Sequence, residues 1–126
     1  MPEGAQVLHR GPVSHEEIPD WLSAADVFAL PTYAEGSCNA ILEAMACGLP
    51  IVSSNIPANR EVLDPSFSVT VDPYDIRQIR QAIETLVDDP ERREAMGRIA
   101  SENARRYDSA NRARGIFDWL KDIPTR

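Results

Sequence analysis

Apolar positions recur along this chain in three rhythms, and each rhythm implies a different element. Val27-Phe28-Ala29-Leu30 is an unbroken apolar run, the pattern of a strand covered on both faces. A buried strand is therefore expected within residues 26–32, ended by Pro31 and Thr32. Ile51-Val52 is the second such run, entered from Pro50 and closed by Ser53-Ser54-Asn55. Asn39 to Cys47 reads as a helix between them, so the unit is strand, glycine turn, helix, strand, a parallel crossover. Phe67, Val69 and Val71 alternate with Ser66, Ser68 and Thr70, which suits a short edge strand.

Helical spacing dominates the remainder. Ile76, Ile79, Ile83, Leu86 and Val87 form one apolar face of a helix opened by Asp72-Pro73-Tyr74-Asp75 and running to about Asp88. Asp89-Pro90 opens another, with Met96, Ile99, Ala100 and Tyr107 on one side. Ser109 opens a third, with Ala113, Ile116, Phe117 and Leu120. Nearer the start, Ser14 and Glu17 have capping-box spacing. Pro19, welcome at a first helical position, places a short helix at about Pro19 to Ala25, with Trp21 and Leu22 as its buried contacts. Pro57 to Leu63 reads as a short helix or turn. Val7-Leu8 reads as a short strand ending at Arg10-Gly11-Pro12, and Met1 to Gln6 as a disordered start.

These elements imply one α/β domain over residues 1–126, with a parallel sheet of about three to four strands flanked by helices. Its length allows burial of on the order of two-thirds of the unfolded surface. The net charge is −7 and uneven: residues 1–90 carry 4 basic and 14 acidic side chains, residues 91–126 carry 9 basic and 6 acidic. The overall sign argues against nucleic acid as the main partner. The basic final third could face an anionic membrane, but Glu94 and Glu102 interleave with its arginines, as on a solvated helix face. No apolar run is long enough to span a bilayer, and no signal-peptide pattern stands at Met1. Cys38 and Cys47 make neither a disulfide framework nor a zinc spacing, and a reducing, cytoplasmic location is the expectation.

The candidate chemistry lies between the two apolar runs. Glu35-Gly36-Ser37-Cys38-Asn39 leads into the helix, and Glu43 follows about one turn later. The first N–H groups of a helix lack internal partners and carry partial positive charge. With Gly36 permitting close approach, they suit a phosphate or an electron-rich sugar oxygen. A carboxylate on each side accepts hydrogen bonds from hydroxyls, which suits a ribose or hexose. The structural alternative carries equal weight: Glu35 complementing the helix dipole and Glu43 a solvated helix residue. Cys38 at a helix start would be reactive only with a base at hand, and no histidine lies nearby in sequence. His9 and His15 share no metal-ligand spacing and read as surface residues. GxGxxG and Walker patterns are absent, so a dinucleotide or a P-loop site is unsupported, and no acidic metal motif is evident.

Glu35-x7-Glu43 followed by Ala44-Met45-Ala46-Cys47-Gly48-Leu49-Pro50-Ile51-Val52 resembles the signature of retaining glycosyltransferases of the GT-B fold, especially glycosyltransferase family 4. Ile18 to Thr32 resembles the segment before that signature, and Arg60-Glu61-Val62 and Val71-Asp72-Pro73 the segments after it. The resemblance runs from about Val7 to Leu120. It implies the later half of a partial Rossmann-like, GT-B C-terminal sheet that binds a nucleotide-sugar donor, with no metal or other cofactor. Glu35 would contact the donor sugar near the reacting centre. Gly36, Ser37, Cys38 and Asn39 would meet the sugar or the distal phosphate, and Glu43 would hold the ribose. Gly11, Pro12 and Val13 would lie near the base. Many relatives carry an aromatic residue and a glycine where Ser37 and Cys38 stand, which leaves the donor sugar open. The resemblance also implies a missing N-terminal acceptor domain and a missing basic pair. The chain alone is then expected to be inactive, with the Val7 strand a bare edge that frays or takes a second copy. The alternatives are a non-catalytic association module and a sugar-nucleotide epimerase of the same fold.

Overall fold

The computed structural model describes residues 4–34 and 39–107. The elements in chain order are α1 (Ile18–Ala24), β1 (Phe28–Leu30), α2 (Asn39–Ala46), β2 (Ile51–Ser54), α3 (Pro57–Arg60), β3 (Ser68–Val71), α4 (Ile76–Val87) and α5 (Pro90–Ala104), followed by a 3₁₀ turn at Arg105–Tyr107. The sheet has three parallel strands in the order β1-β2-β3. Phe28 pairs with Ile51 and Leu30 with Ser53, and Ile51 to Ser54 pair with Ser68 to Val71. The expected α/β architecture is present, with three strands flanked by helices.

The core explains the order. β2 is central, and all four of its residues are buried. Ile41, Ala44 and Met45 of α2, Ile51 and Val52 of β2, Phe67, Leu86 of α4, and Met96 and Ala100 of α5 form one cluster. Each large member contributes about 1.5–3 kcal/mol by leaving water. α2 ends in a Schellman motif: the Leu49 N–H donates to the Ala44 carbonyl at 3.2 Å and the Gly48 N–H to Met45 at 3.0 Å. Gly48 sits at φ +76° there, a conformation that glycine adopts at least cost. A close backbone approach is made at this cap. A Cβ built on Gly97, inside α5, would lie 2.1 Å from the Gly48 carbonyl oxygen.

A polar cluster lies beneath the carboxyl ends of β1 and β2. Ser53 Oγ donates to the Leu30 carbonyl at 2.8 Å, and Ser54 Oγ donates to the Thr32 carbonyl. Asn59 Nδ2 donates to Ser53 Oγ at 3.1 Å and to the Ser54 carbonyl at 2.9 Å. All three side chains are fully buried. The sequence reads a buried strand from Pro50 to Ser54, and β2 runs through both serines. Their hydroxyls are tolerated inside because each has a partner.

Capping follows the sequence closely in α4 and α5. Asp75 Oδ1 accepts from the N–H groups of Arg77 and Gln78, and Asp89 Oδ1 from Arg92. Arg93 then donates to the carbonyls of Leu86 and Val87 at 2.8 and 2.6 Å, closing the end of α4.

Four expectations are corrected. Val7-Leu8 is not a strand; Val7 is 91% exposed, and among the described residues β1 is the sheet edge on that side. Trp21 is not buried but lies under the Arg10 guanidinium, 5.0 Å from its ring centre, leaving Leu22 to pack on the core. Ser14 and Glu17 form a turn through their backbones, and Glu17 caps α1 without a side-chain bond. Ile76 and Val87 point outward, so the buried face of α4 centres on Ala82 and Leu86, with Ile79 and Ile83 half-buried. The helix expected from Ser109 lies outside the described residues. No helix among the described residues is long and apolar enough to cross a membrane.

Gly97→Ala should destabilise the chain by about 3 kcal/mol or prevent folding, because backbone on both sides leaves no room for the methyl. Gly11→Ala, at φ +70° with open space around it, should cost only about 1–2 kcal/mol; urea denaturation separates the two. Asn59→Ala should cost about 2 kcal/mol in the same assay by leaving a buried serine hydroxyl and carbonyl short of a donor.

Candidate functional site

In open parallel sheets, ligands bind beyond the carboxyl ends of the strands. Here β1 delivers Pro31, Thr32, Tyr33 and Ala34 to that end, β2 delivers Asn55, and β3 delivers Asp72 to Asp75. The buried Ser53-Ser54-Asn59 cluster grips the carbonyls of Leu30 and Thr32 and fixes the departure of the loop toward α2. Thr32 itself turns back, its N–H donating to Leu30 at 3.0 Å. Glu35, Gly36, Ser37 and Cys38 lie outside the described residues. Asn39 is the first residue of α2.

α2 is held rigidly, and that determines where Glu43 goes. Its inner face, Ile41, Ala44 and Met45, is in the core, and its last turn is locked against α5 at Gly48. Glu43 is half-buried on the flank toward α1. There it lines a hollow of about 200 Å³ with His15, Ile18, Pro19, Leu22, Ala46 and Cys47. The floor and walls are mainly apolar, with Glu43 and His15 as the polar groups at hand. Ligand pockets for drug-sized molecules run to about 300–1,000 Å³. This hollow matches one ring of a ligand rather than a whole nucleotide sugar.

The structure thus brings Glu43 together with the segment that follows Val13. Gly11, Pro12 and Val13 themselves are exposed and do not line the hollow. His15, which reads as a surface residue in the sequence, does line it. Nothing in its spacing to Glu43 signals that, since the two meet only through the packing of α1 against α2. Cys47 lies in the same hollow as a free thiol.

Tyr33 and Tyr74 also meet at the carboxyl end. Their rings stack with centroids 4.6 Å apart and planes inclined by 26°. Both are exposed, and they join the loops after β1 and β3. A larger groove, about 380 Å³, runs beside β3 and is lined by Asn55, Arg60, Asp64, Thr70 and Arg92 among others. The Ser66 hydroxyl and backbone N–H hold the Asp64 carboxyl below its ordinary pKa. This groove is bigger than the hollow at Glu43 but contains none of the residues singled out by their chemistry. Among the described residues no three potential ligands gather to hold a metal ion.

Comparison with known proteins fits this geometry. The family model for glycosyl transferases group 1 matches residues 3–103. The chain is 36% identical over 102 residues to the D-inositol 3-phosphate glycosyltransferase of Paenarthrobacter aurescens, covering 80% of this chain and 25% of that protein. It is 32% identical over 120 residues to the GDP-mannose-dependent monoacylated alpha-(1-6)-phosphatidylinositol monomannoside mannosyltransferase of Corynebacterium glutamicum, covering 90% and 29%. Among solved structures it is similar to the sucrose-phosphate synthase of Thermosynechococcus elongatus, with a TM-score of 0.76, 26% identity, and coverage of 87% and 29%. The chain therefore spans roughly a quarter of the length of these relatives. A parallel sheet of this order, an α2 locked by its glycine cap and a match over residues 3–103 lead to one conclusion: the chain belongs to the glycosyl transferases group 1 family and carries part of its GT-B fold.

Proposed function

We propose that this chain supplies the donor half-site of a retaining glycosyltransferase that uses a nucleotide-diphospho-sugar. The observation that carries the reading is the position of Glu43. It is half-buried on α2 and lines a ring-sized hollow together with His15, which stands two residues after Val13. An ionised carboxylate only accepts hydrogen bonds, so a vicinal diol such as that of a ribose is a fitting partner. Glu35, eight residues earlier, would then contact the donor sugar near the reacting centre. The N–H groups of residues 36–39 would meet the sugar or the distal phosphate, as helix starts do. Charge developing on the departing diphosphate would be stabilised by these donors and by basic groups from elsewhere in the enzyme. Residues 1–126 act in this reading as one domain of a cytoplasmic enzyme with no metal, and transfer requires the rest of the protein. Support for that last step comes from the roughly one-quarter share of its relatives that the chain spans. Two relatives are named for inositol 3-phosphate and for a phosphatidylinositol mannoside, which makes a phosphorylated polyol the acceptor class to try first.

An amide-resolved NMR titration with UDP, GDP, ADP and a UDP-sugar tests the donor site. Shifts should be confined to Gly11–Val13, His15 and Glu35–Glu43, and the base that gives them identifies the donor. Glu43→Ala should weaken the effective nucleotide by about 10- to 100-fold, the value of one or two charge-assisted hydrogen bonds. Shifts that ignore Glu43→Ala would sink the assignment of the ribose to this residue.

A further inference from the structure

Tyr33 and Tyr74 belong to loops that follow different strands. β2 stands between β1 and β3, and neighbouring strands lie about 4.8 Å apart, so the two loops start about 10 Å from each other. The stacked rings, with centroids at 4.6 Å, bridge that gap across the carboxyl end of β2. The contact is not made for the core. Tyr33 is 65% and Tyr74 77% exposed, and neither belongs to the apolar cluster. Two exposed rings held against each other give up side-chain freedom for little buried area, so the stack adds little to stability.

Tyr74 is the fixed member of the pair. Its N–H donates to Asp72 Oδ1 at 2.9 Å, the Asp72 N–H donates to Gln78 Oε1 at 3.0 Å, and the Asp75 N–H donates to the Asp72 carbonyl at 3.0 Å. Asp75 in turn caps α4, which is seated in the core through Ala82 and Leu86. Tyr33 is the guided member. The clamp from Ser54 ends at the Thr32 carbonyl, and Tyr33 is the next residue. A chain held at one carbonyl can still leave in several directions. The ring of Tyr33 on Tyr74 adds a second anchor, two residues before Glu35.

We propose that Tyr74 is a positioning residue for the sugar and distal-phosphate end of the donor: its ring holds Tyr33 and so sets the course of the chain that leaves β1 toward Glu35. The proposal rests on the donor-site reading and deepens it, because it assigns the two ends of the donor to separate supports. Glu43 stands on α2, which the core fixes through Ile41, Ala44 and Met45 without Tyr74. The chain leaving β1 takes its direction from the first turn of α4. Ordering that chain in advance lowers the cost of binding what it touches. Tyr74 therefore acts on the affinity for a nucleotide sugar and not on that for the nucleoside monophosphate.

Calorimetric titration of the whole chain with these two ligands, in the base that it binds, tests the separation. Tyr74→Ala should weaken the nucleotide sugar by about 2- to 12-fold, the value of one aromatic stack, and leave the nucleoside monophosphate unchanged. Tyr74→Phe, which keeps the ring, should match the wild type. The turn Asp72–Asp75 uses only the backbone of Tyr74, so Tyr74→Ala keeps the cap on α4, and its urea midpoint should equal that of the wild type. Without ligand, its amide spectrum should differ from wild type at Tyr33, Ala34 and Asn39 but not at Glu43. Equal weakening of both ligands, weakening of neither, a Tyr74→Phe as weak as Tyr74→Ala, or amide changes that stop at Tyr33 would each overturn the proposal and leave the donor-site reading standing. A wild type that binds no nucleotide, or whose binding ignores Glu43→Ala, would instead refute the donor-site reading and this proposal with it.

Discussion

The contact between Gly48 and Gly97 is the constraint on which the rest of the structure depends. α2 and α5 approach so closely there that a Cβ on Gly97 would strike the Gly48 backbone. Gly48 also ends α2 in its left-handed cap and turns the chain, through Pro50, into the central strand. One glycine therefore sets the end of the helix that carries Glu43, the entry to β2, and the distance to α5. A glycine within a helix costs about 1 kcal/mol against alanine. Gly97 is kept at that cost because the crossing needs its missing side chain.

A second constraint acts from the other side of the candidate site. Ser53, Ser54 and Asn59 are buried polar groups, and isolated hydroxyls or amides inside a core are costly. Joined to one another and to the carbonyls of Leu30 and Thr32, they become a clamp on the loop that leaves β1. The loop toward Glu35 thus leaves a fixed point, and Glu43 rests on a fixed helix. In the proposed reading, a donor half-site built this way would be organised before its ligand arrives, which is where binding and electrostatic stabilisation gain most.

Much of the fold is legible because its signals are local. The apolar runs at Val27–Leu30 and Ile51–Val52, the aspartate caps at Asp75 and Asp89, and the helical spacing of Ile79, Ile83 and Leu86 each decide an element within a few residues. The misses share a cause: they concern what another element covers. Trp21 is large and apolar enough for a core, yet it stays 44% exposed with the Arg10 guanidinium over its ring. Ile76 and Val87 fall on the α4 stripe, yet they lie at its two ends, beyond the reach of the sheet. Val7-Leu8 has strand composition, yet a strand exists only where a neighbour supplies hydrogen bonds.

The sequence by itself determined the α/β class, the order of strands and helices, the Glu35–Glu43 spacing and the family resemblance, because periodicity, caps and motif residues are written within short stretches. Tertiary structure alone decided which faces are covered. It brought His15 and Glu43 to one hollow, buried Ser53 and Ser54, stacked Tyr33 on Tyr74 and, among the described residues, made β1 rather than Val7 a sheet edge. These are outcomes of packing between segments far apart in the chain, and burial is a property of the assembled molecule that no single stretch of residues contains.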